Sequence, residues 1–295
     1  MRVPTDLAWW GDVPGGREWL ERVPRLAASC AEEWRLRVGA PLTGGNVALV
    51  VSATREDGTE AVLKISFPDD ESEHEGDALA HWDGAGAVRV LQRDDERRAL
   101  LLERVSPGTP LWDVVDDEEA TVTAASLLAR LHAVAVGRAH PFRALAEVAA
   151  RWADTIPANW AASGRPYDRR LLDVAVDACR ALPLSAPAEC LLHQDFHGGN
   201  VLRSDRGGWT VIDPKPLVGD PAFDAASLLR DRRWLLGGRD DATRIRRRLD
   251  LLAEVTGLDR ERMRLWGVVH ALAWGVSGRA VEPDMIRCAE LLLAS

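Results

Sequence analysis

This sequence predicts an α+β fold in two parts, a β-rich amino-terminal part followed by a mainly helical carboxy-terminal part. Short β-branched and apolar runs punctuated by turn formers fill the stretch up to about residue 104. Beyond about residue 120, apolar residues recur at helical spacing instead. At 295 residues the chain is long enough to bury a core in each of two modest lobes.

The elements follow in order. Trp19, Leu20, Val23, Leu26, Ala27, Cys30 and Trp34 lie at helical spacing, predicting an amphipathic helix over 15–38. The segment PLTGGNVALVVSAT then turns into a β-branched strand, and Ala61–Ile65 returns as its antiparallel partner. Residues 71–82 read as a helix with Ala78, Leu79 and Trp82 on one side. Two further strands, 88–92 and 99–105, flank the polar DDER turn. Ser106-Pro107-Gly108 ends the β-rich part. Helices are expected over 120–136, 142–160 and 167–182, and short strands at 201–202 and 209–212 flank a DRGG turn. From residue 222 to the end the pattern is helical, broken at Gly237–Gly238, Gly257 and Gly278. The expected partition is an amino-terminal lobe over 1–104 and a helical lobe over 105–295, with a hinge at about 103–108.

The formal charge is −9, so nucleic acid and anionic membrane are unfavourable partners and a cationic small molecule is a favourable one. The four cysteines are scattered with no CxxC pair, which argues for a reducing, cytoplasmic setting and against a zinc or disulfide framework. No run reaches the ~18 apolar residues of a membrane span, and no protein partner is implied. Of the 37 basic residues only two, Lys64 and Lys215, are lysines. An ammonium is a compact charge that the planar guanidinium does not replace at a phosphate, so these two positions stand out.

The chemistry concentrates between Leu191 and Val218, LLHQDFHGGNVLRSDRGGWTVIDPKPLV. Asp195 and Asn200 lie five positions apart, and Asp213 follows Asp195 by eighteen. That is the spacing of a phosphotransfer loop. One carboxylate (Asp195) orients the attacking hydroxyl and takes its proton, while an amide oxygen (Asn200) and a second carboxylate (Asp213) hold Mg²⁺. His193 is expected to hydrogen-bond the loop backbone. Lys215, two residues past Asp213, is a candidate phosphate or site contact. A rival reading takes His193, Asp195 and His197 as an H-x-D-x-H metal-hydrolase string, but it leaves Asn200 and Asp213 without a role.

Lys64 closes the strand AVLK ahead of a segment holding Glu71, Glu73 and Glu75, the arrangement that pairs a strand lysine with a helix glutamate over nucleotide phosphates. Glu75 is the expected partner and Glu71 the second choice. Gly44-Gly45-Asn46 sits where a hairpin would cover a nucleotide, and the backbone of Glu103 and Val105, in LLLERV, would meet adenine. No GxxxxGK[ST] occurs, which excludes a P-loop.

The set VLK, HEGDAL, LLLERV, LLHQDFHGGNVL and IDPKPLVGDPAFD resembles the aminoglycoside phosphotransferase family, in its streptomycin 6-phosphotransferase/hydroxyurea phosphotransferase branch. The resemblance spans nearly the whole chain. It implies a protein-kinase-like bilobal fold, with Asp195 as catalytic base, Asn200 and Asp213 as metal ligands and Lys64 as the phosphate lysine. It also implies ATP and Mg²⁺ as cofactors and the hydroxyl of an aminocyclitol antibiotic such as streptomycin as acceptor, with Asp231 and Glu282 as candidates to receive its guanidinium groups. The alternative acceptor is a sugar, an amino sugar or a hydroxyurea-like metabolite. The loop reads H-Q-D-F where many relatives read H-G-D-L. A second functional class is a nucleotide-binding protein without turnover, against which the full polar set argues. A protein kinase is disfavoured, since Asp213 runs directly into GDPAFD with no room for an activation loop.

Overall fold

The computed structural model describes residues 3–42 and 47–295. The chain divides into two compact units, Met1–Ser106 and Pro107–Ser295.

In the first unit a 3-10 turn (Thr5–Asp12) leads into α1 (Gly16–Glu33) and then five antiparallel strands interrupted by one helix. These are β1 (Arg37–Pro41), β2 (Ala48–Thr54), β3 (Glu60–Ser66), α2 (Glu75–Trp82), β4 (Val90–Asp94) and β5 (Ala99–Glu103), in sheet order β1-β2-β3-β5-β4. Alternate β2 and β3 residues (Leu49, Val51, Leu63, Ile65) are buried with Val23, Ala27 and Cys30 of α1 in one apolar core. Burying each such side chain contributes about 1.5–3 kcal/mol. The Trp10 ring stacks on Phe67 at 3.9 Å and meets Trp19 edge-on, closing the end of that core.

Several boundaries differ from expectation, among them the strands expected over 88–92 and 99–105, which lie at Val90–Asp94 and Ala99–Glu103. The sequence predicts helix from 71, but α2 begins at Glu75, because Asp69 Oδ1 accepts from the backbone N–H groups of Glu71 and Ser72 (2.9 and 2.7 Å) and holds that stretch as turns. The first helix ends at Glu33 rather than 38, and β1 takes the residues after it as an edge strand.

The second unit opens with β6 (Pro107–Pro110), followed by α3 (Asp117–His132), β7 (Arg143–Ala144), α4 (Leu145–Ala162) and α5 (Arg169–Ala181). Next come β8 (Cys190–Leu192), β9 (Val201–Ser204), β10 (Gly208–Val211), β11 (Leu217–Gly219) and α6 (Ala225–Leu229). The chain ends with α7 (Asp241–Thr256), α8 (Arg260–Gly275), β12 (Val276–Ser277), β13 (Ala280–Val281) and α9 (Pro283–Leu293). Two three-stranded sheets, β10-β9-β6 and β7-β11-β8, carry the polar loops on a helical bed. Pro107 and Pro110 lie in β6, an edge strand, where a missing N–H costs nothing. The helical pattern expected from residue 222 opens instead as a 3-10 turn (Pro221–Phe223), capped by Asp220 Oδ1 on the Ala222 N–H at 3.1 Å, followed by α6. No helix is long and apolar enough to cross a membrane among the described residues.

Candidate active site

In the first unit, Lys64 of β3 and Glu75 at the start of α2 are both buried, at 5% and 2% exposure. Their charged atoms are 2.6 Å apart, and the Ser66 hydroxyl lies 3.5 Å from the other Glu75 oxygen. Taking two charges out of water is costly unless each is matched, so this pair holds strand and helix together. The first turn of α2 also favours the Glu75 carboxylate through the helix dipole. Glu103 ends β5, exchanging hydrogen bonds with the Arg89 backbone, and Val105 has left the sheet. Gly44, Gly45 and Asn46 lie outside the described residues.

In the second unit the loop from His193 to Asn200 joins β8 to β9, and the hairpin β9–β10 returns the chain to Asp213. The loop is pinned at both ends. Asp224, 1% exposed, accepts from the backbone N–H groups of His193 and Gln194 at 2.8 and 2.7 Å, and its Oδ2 lies 3.0 Å from His132 Nε2. His193 donates from Nε2 to the Ile212 carbonyl at 3.0 Å, and Lys215 N–H returns to the His193 carbonyl at 3.0 Å. Burial holds the His193 ring below the ordinary histidine range, against the opposing pull of Asp224 and Asp195, so it serves as a neutral strut. Gln194 (φ 66°) and Asp213 (φ 60°) both adopt left-handed backbone. The Gln194 strain is held by Asp224 on its N–H and by the Ser227 hydroxyl donating to its carbonyl at 2.7 Å.

These struts set Asp195 among three nitrogen groups. Arg230 Nη2 lies 3.4 Å from Oδ1; Lys215 Nζ and His197 Nε2 lie 3.9 and 3.8 Å from Oδ2. Asn200 donates its amide N–H to the Asp195 carbonyl at 3.0 Å, which fixes the amide so that its oxygen is the remaining ligand atom. Arg230 Cζ and Lys215 Nζ both rest over the Trp274 ring, at 5.0 and 4.9 Å from its centroid. Arg230 Nε donates to His270 Nδ1 at 2.9 Å, and His270 stacks on Trp274. Burial, reinforced by Arg230 and Lys215, holds His270 well below its usual range, so its lone pair is free to accept.

Sequence reasoning missed Asp224, Arg230, His270 and Trp274 as site-building residues. The terminal Asp of GDPAFD was a visible signal; nothing local marks the other three. The H-x-D-x-H string does not converge. His193 is turned to the Ile212 carbonyl, whereas His197 Nδ1 accepts from Gly199 N–H at 3.1 Å. No cluster of three or more His, Cys, Asp or Glu side chains is placed to hold an ion among the described residues. Asp231 is 8% exposed, and its carboxylate accepts from Gly198 N–H (2.7 Å), Trp112 Nε1 (2.8 Å) and Arg232 N–H (2.8 Å), so both oxygens are committed within the protein. Glu282 is exposed at the start of α9.

The family model described as aminoglycoside/hydroxyurea antibiotic resistance kinase matches residues 33–282. The chain is 44% identical to a hydroxyurea phosphotransferase of Kitasatospora aureofaciens, covering 99% of this chain and 84% of that protein. It is 37% identical to a streptomycin 6-kinase of Streptomyces glaucescens, covering 94% of this chain and 91% of that protein. Among solved structures it shares the fold of the choline kinase LicA from Streptococcus pneumoniae, with a TM-score of 0.64 at 15% identity, over 93% of this chain and 100% of that one. That likeness places it in the protein-kinase-like α+β class. With a family match over most of its length and relatives this similar, the chain belongs to the aminoglycoside/hydroxyurea antibiotic resistance kinases, phosphotransferases that act on a hydroxyl and draw on ATP.

Proposed function

We propose that this kinase transfers the γ-phosphate of ATP to a hydroxyl of an aminoglycoside, with streptomycin, at its 6-hydroxyl, as the acceptor. The observation that carries the reading is the Asp195 carboxylate, 14% exposed at its side chain and flanked by Arg230 and Lys215. The loop presents that carboxylate where it can orient an acceptor hydroxyl and receive its proton. Lys215 and Arg230 also offer positive charge where a phosphoryl group passes, and a loose transition state spreads its charge over oxygens that such groups stabilise. Lys64, held by Glu75, takes the α- and β-phosphates. The Asn200 amide oxygen and the Asp213 carboxylate are hard oxygen donors, a set that suits Mg²⁺ completed by phosphate and water. When bound, the ion neutralises charge on those phosphates. The 44% identical hydroxyurea phosphotransferase supports hydroxyurea as the alternative acceptor.

Coupled ADP-release assays with streptomycin, other aminoglycosides, amino sugars and hydroxyurea test the proposal. Streptomycin should stimulate turnover, and Asp195→Ala should lower it by at least about a hundredfold while nucleotide still binds. Full activity in Asp195→Ala would sink the mechanism. Stimulation by hydroxyurea or a sugar, with none by any aminoglycoside, would move the acceptor and leave the kinase standing.

A further inference from the structure

Beside the Asp195 loop, two large aromatic side chains stay open to solvent: Trp112 at 40% and Trp234 at 59% exposure. Their rings meet almost at right angles, 87° with centroids 5.6 Å apart, and so form a corner with two aromatic walls. An exposed tryptophan is costly to hydrate, and a single one needs no explanation. A rigid pair at a site does.

Rigidity comes from three sources. Gly198 and Gly199 give Trp112 a floor, since a Cβ on either would come within 2.7 Å of the indole. Asp231 clamps Trp112 Nε1 to the same loop by accepting from Gly198 N–H with its other oxygen. Arg232, the residue that directly precedes the turn bearing Trp234, donates to the carbonyls of Leu111, Trp112 and Val114 and so ties that turn to the one bearing Trp112. Trp112 stacks on His197, 5.0 Å between centroids and 10° from parallel, and His197 Nε2 is 3.8 Å from Asp195 Oδ2. The corner is therefore one imidazole away from the proposed base.

Resting on the acceptor reading above, we propose that Trp112 and Trp234 form the acceptor's cation subsite, a π-faced corner that takes a guanidinium group of the antibiotic. Tryptophan is the strongest cation–π partner, and guanidinium the side-chain-like cation that stacks best on it. The charges at hand favour a cation. Asp113, next to Trp112 in the chain, is exposed, as is Asp116 at the start of α3, while Arg233 donates to the Arg230 carbonyl at 3.4 Å and Arg232 is buried. The committed Asp231 thus acts on the acceptor through Trp112, which it holds in place.

The test is calorimetric titration of the intact protein with streptomycin. Trp234→Leu should weaken binding roughly 3- to 30-fold, the span a cation–π contact supplies, and Trp234→Phe should recover most of the loss. Trp234, a surface side chain, is the variant of choice because Trp112 also braces the loop. Unchanged affinity in Trp234→Leu, a Phe variant as weak as Leu, or no streptomycin binding by the wild type would each overturn the subsite. Streptomycin that binds through the corner without stimulating ADP release would uphold the subsite and sink the kinase assignment for that acceptor.

Discussion

Asp224 does more for the candidate site than its place between two helical turns suggests. Three donors converge on one buried carboxylate, and two of them are backbone N–H groups of the loop that bears Asp195. Asp224→Ala leaves those groups buried without an acceptor, a loss of about 2–5 kcal/mol that a urea midpoint would register. Trp274 is the second such residue, because it carries both cations that flank Asp195. Trp274→Leu should cut kcat about tenfold or more through misplaced Lys215 and Arg230, with little change in nucleotide affinity; an unchanged kcat would remove Trp274 from the site. At this scale the sequence was readable wherever chemistry imposes spacing. Lys64 and Glu75 lie within one strand–turn–helix, and Asp195, Asn200 and Asp213 within one loop and hairpin. His270 and Trp274 come to Asp195 from α8, some 75 residues on, and no local pattern announces that approach.

Several helices start away from where the spacing places them. The sequence predicts a helix from Ala120, yet Asp117, Glu118 and Glu119 already form the first turn of α3, where they complement the helix dipole. Asp116 caps that turn by accepting from Glu119 N–H at 2.9 Å. Asp116→Ala should cost about 1 kcal/mol, seen as a fall in melting temperature of a few degrees. Asp117, in the same turn, joins α3 to α7 by accepting from Arg248 Nε and Nη2, both at 2.8 Å. Burial pushes its carboxyl up, but the Arg248 and Arg232 guanidinium groups outweigh that and hold it below the usual carboxylate range. A depressed carboxylate stabilises the fold fully above its unfolded pKa of about 3.9, and that contribution fades as pH falls through the lower folded value. Asp117→Asn should therefore lower stability near neutrality and flatten the loss of stability below about pH 4, which chemical denaturation at several pH values would show.

The whole molecule carries a charge of −9 and two compact units, each with its own elements. A ligand that binds only folded protein raises its melting temperature by mass action. A non-hydrolysable ATP analogue with Mg²⁺ should do so here, and Lys64→Met should abolish most of that rise; a full shift in the variant would take Lys64 out of phosphate binding. The chain by itself determined its family, the α+β order of its elements, and the residues proposed for phosphotransfer. Those depend on short-range spacing and on residue types that few other reactions demand. Tertiary structure alone decided which charges are spent and which stay open. Asp231, a candidate acceptor contact by family resemblance, is committed by the fold to Gly198, Trp112 and Arg232. Trp112 is one of twelve tryptophans in the sequence, and contacts with residues 85 or more positions away, His197 and Asp231 among them, set it beside the loop. Hydrogen-bond satisfaction and aromatic stacking are properties of distance in space, and a linear spacing encodes them only when the partners are neighbours along the chain.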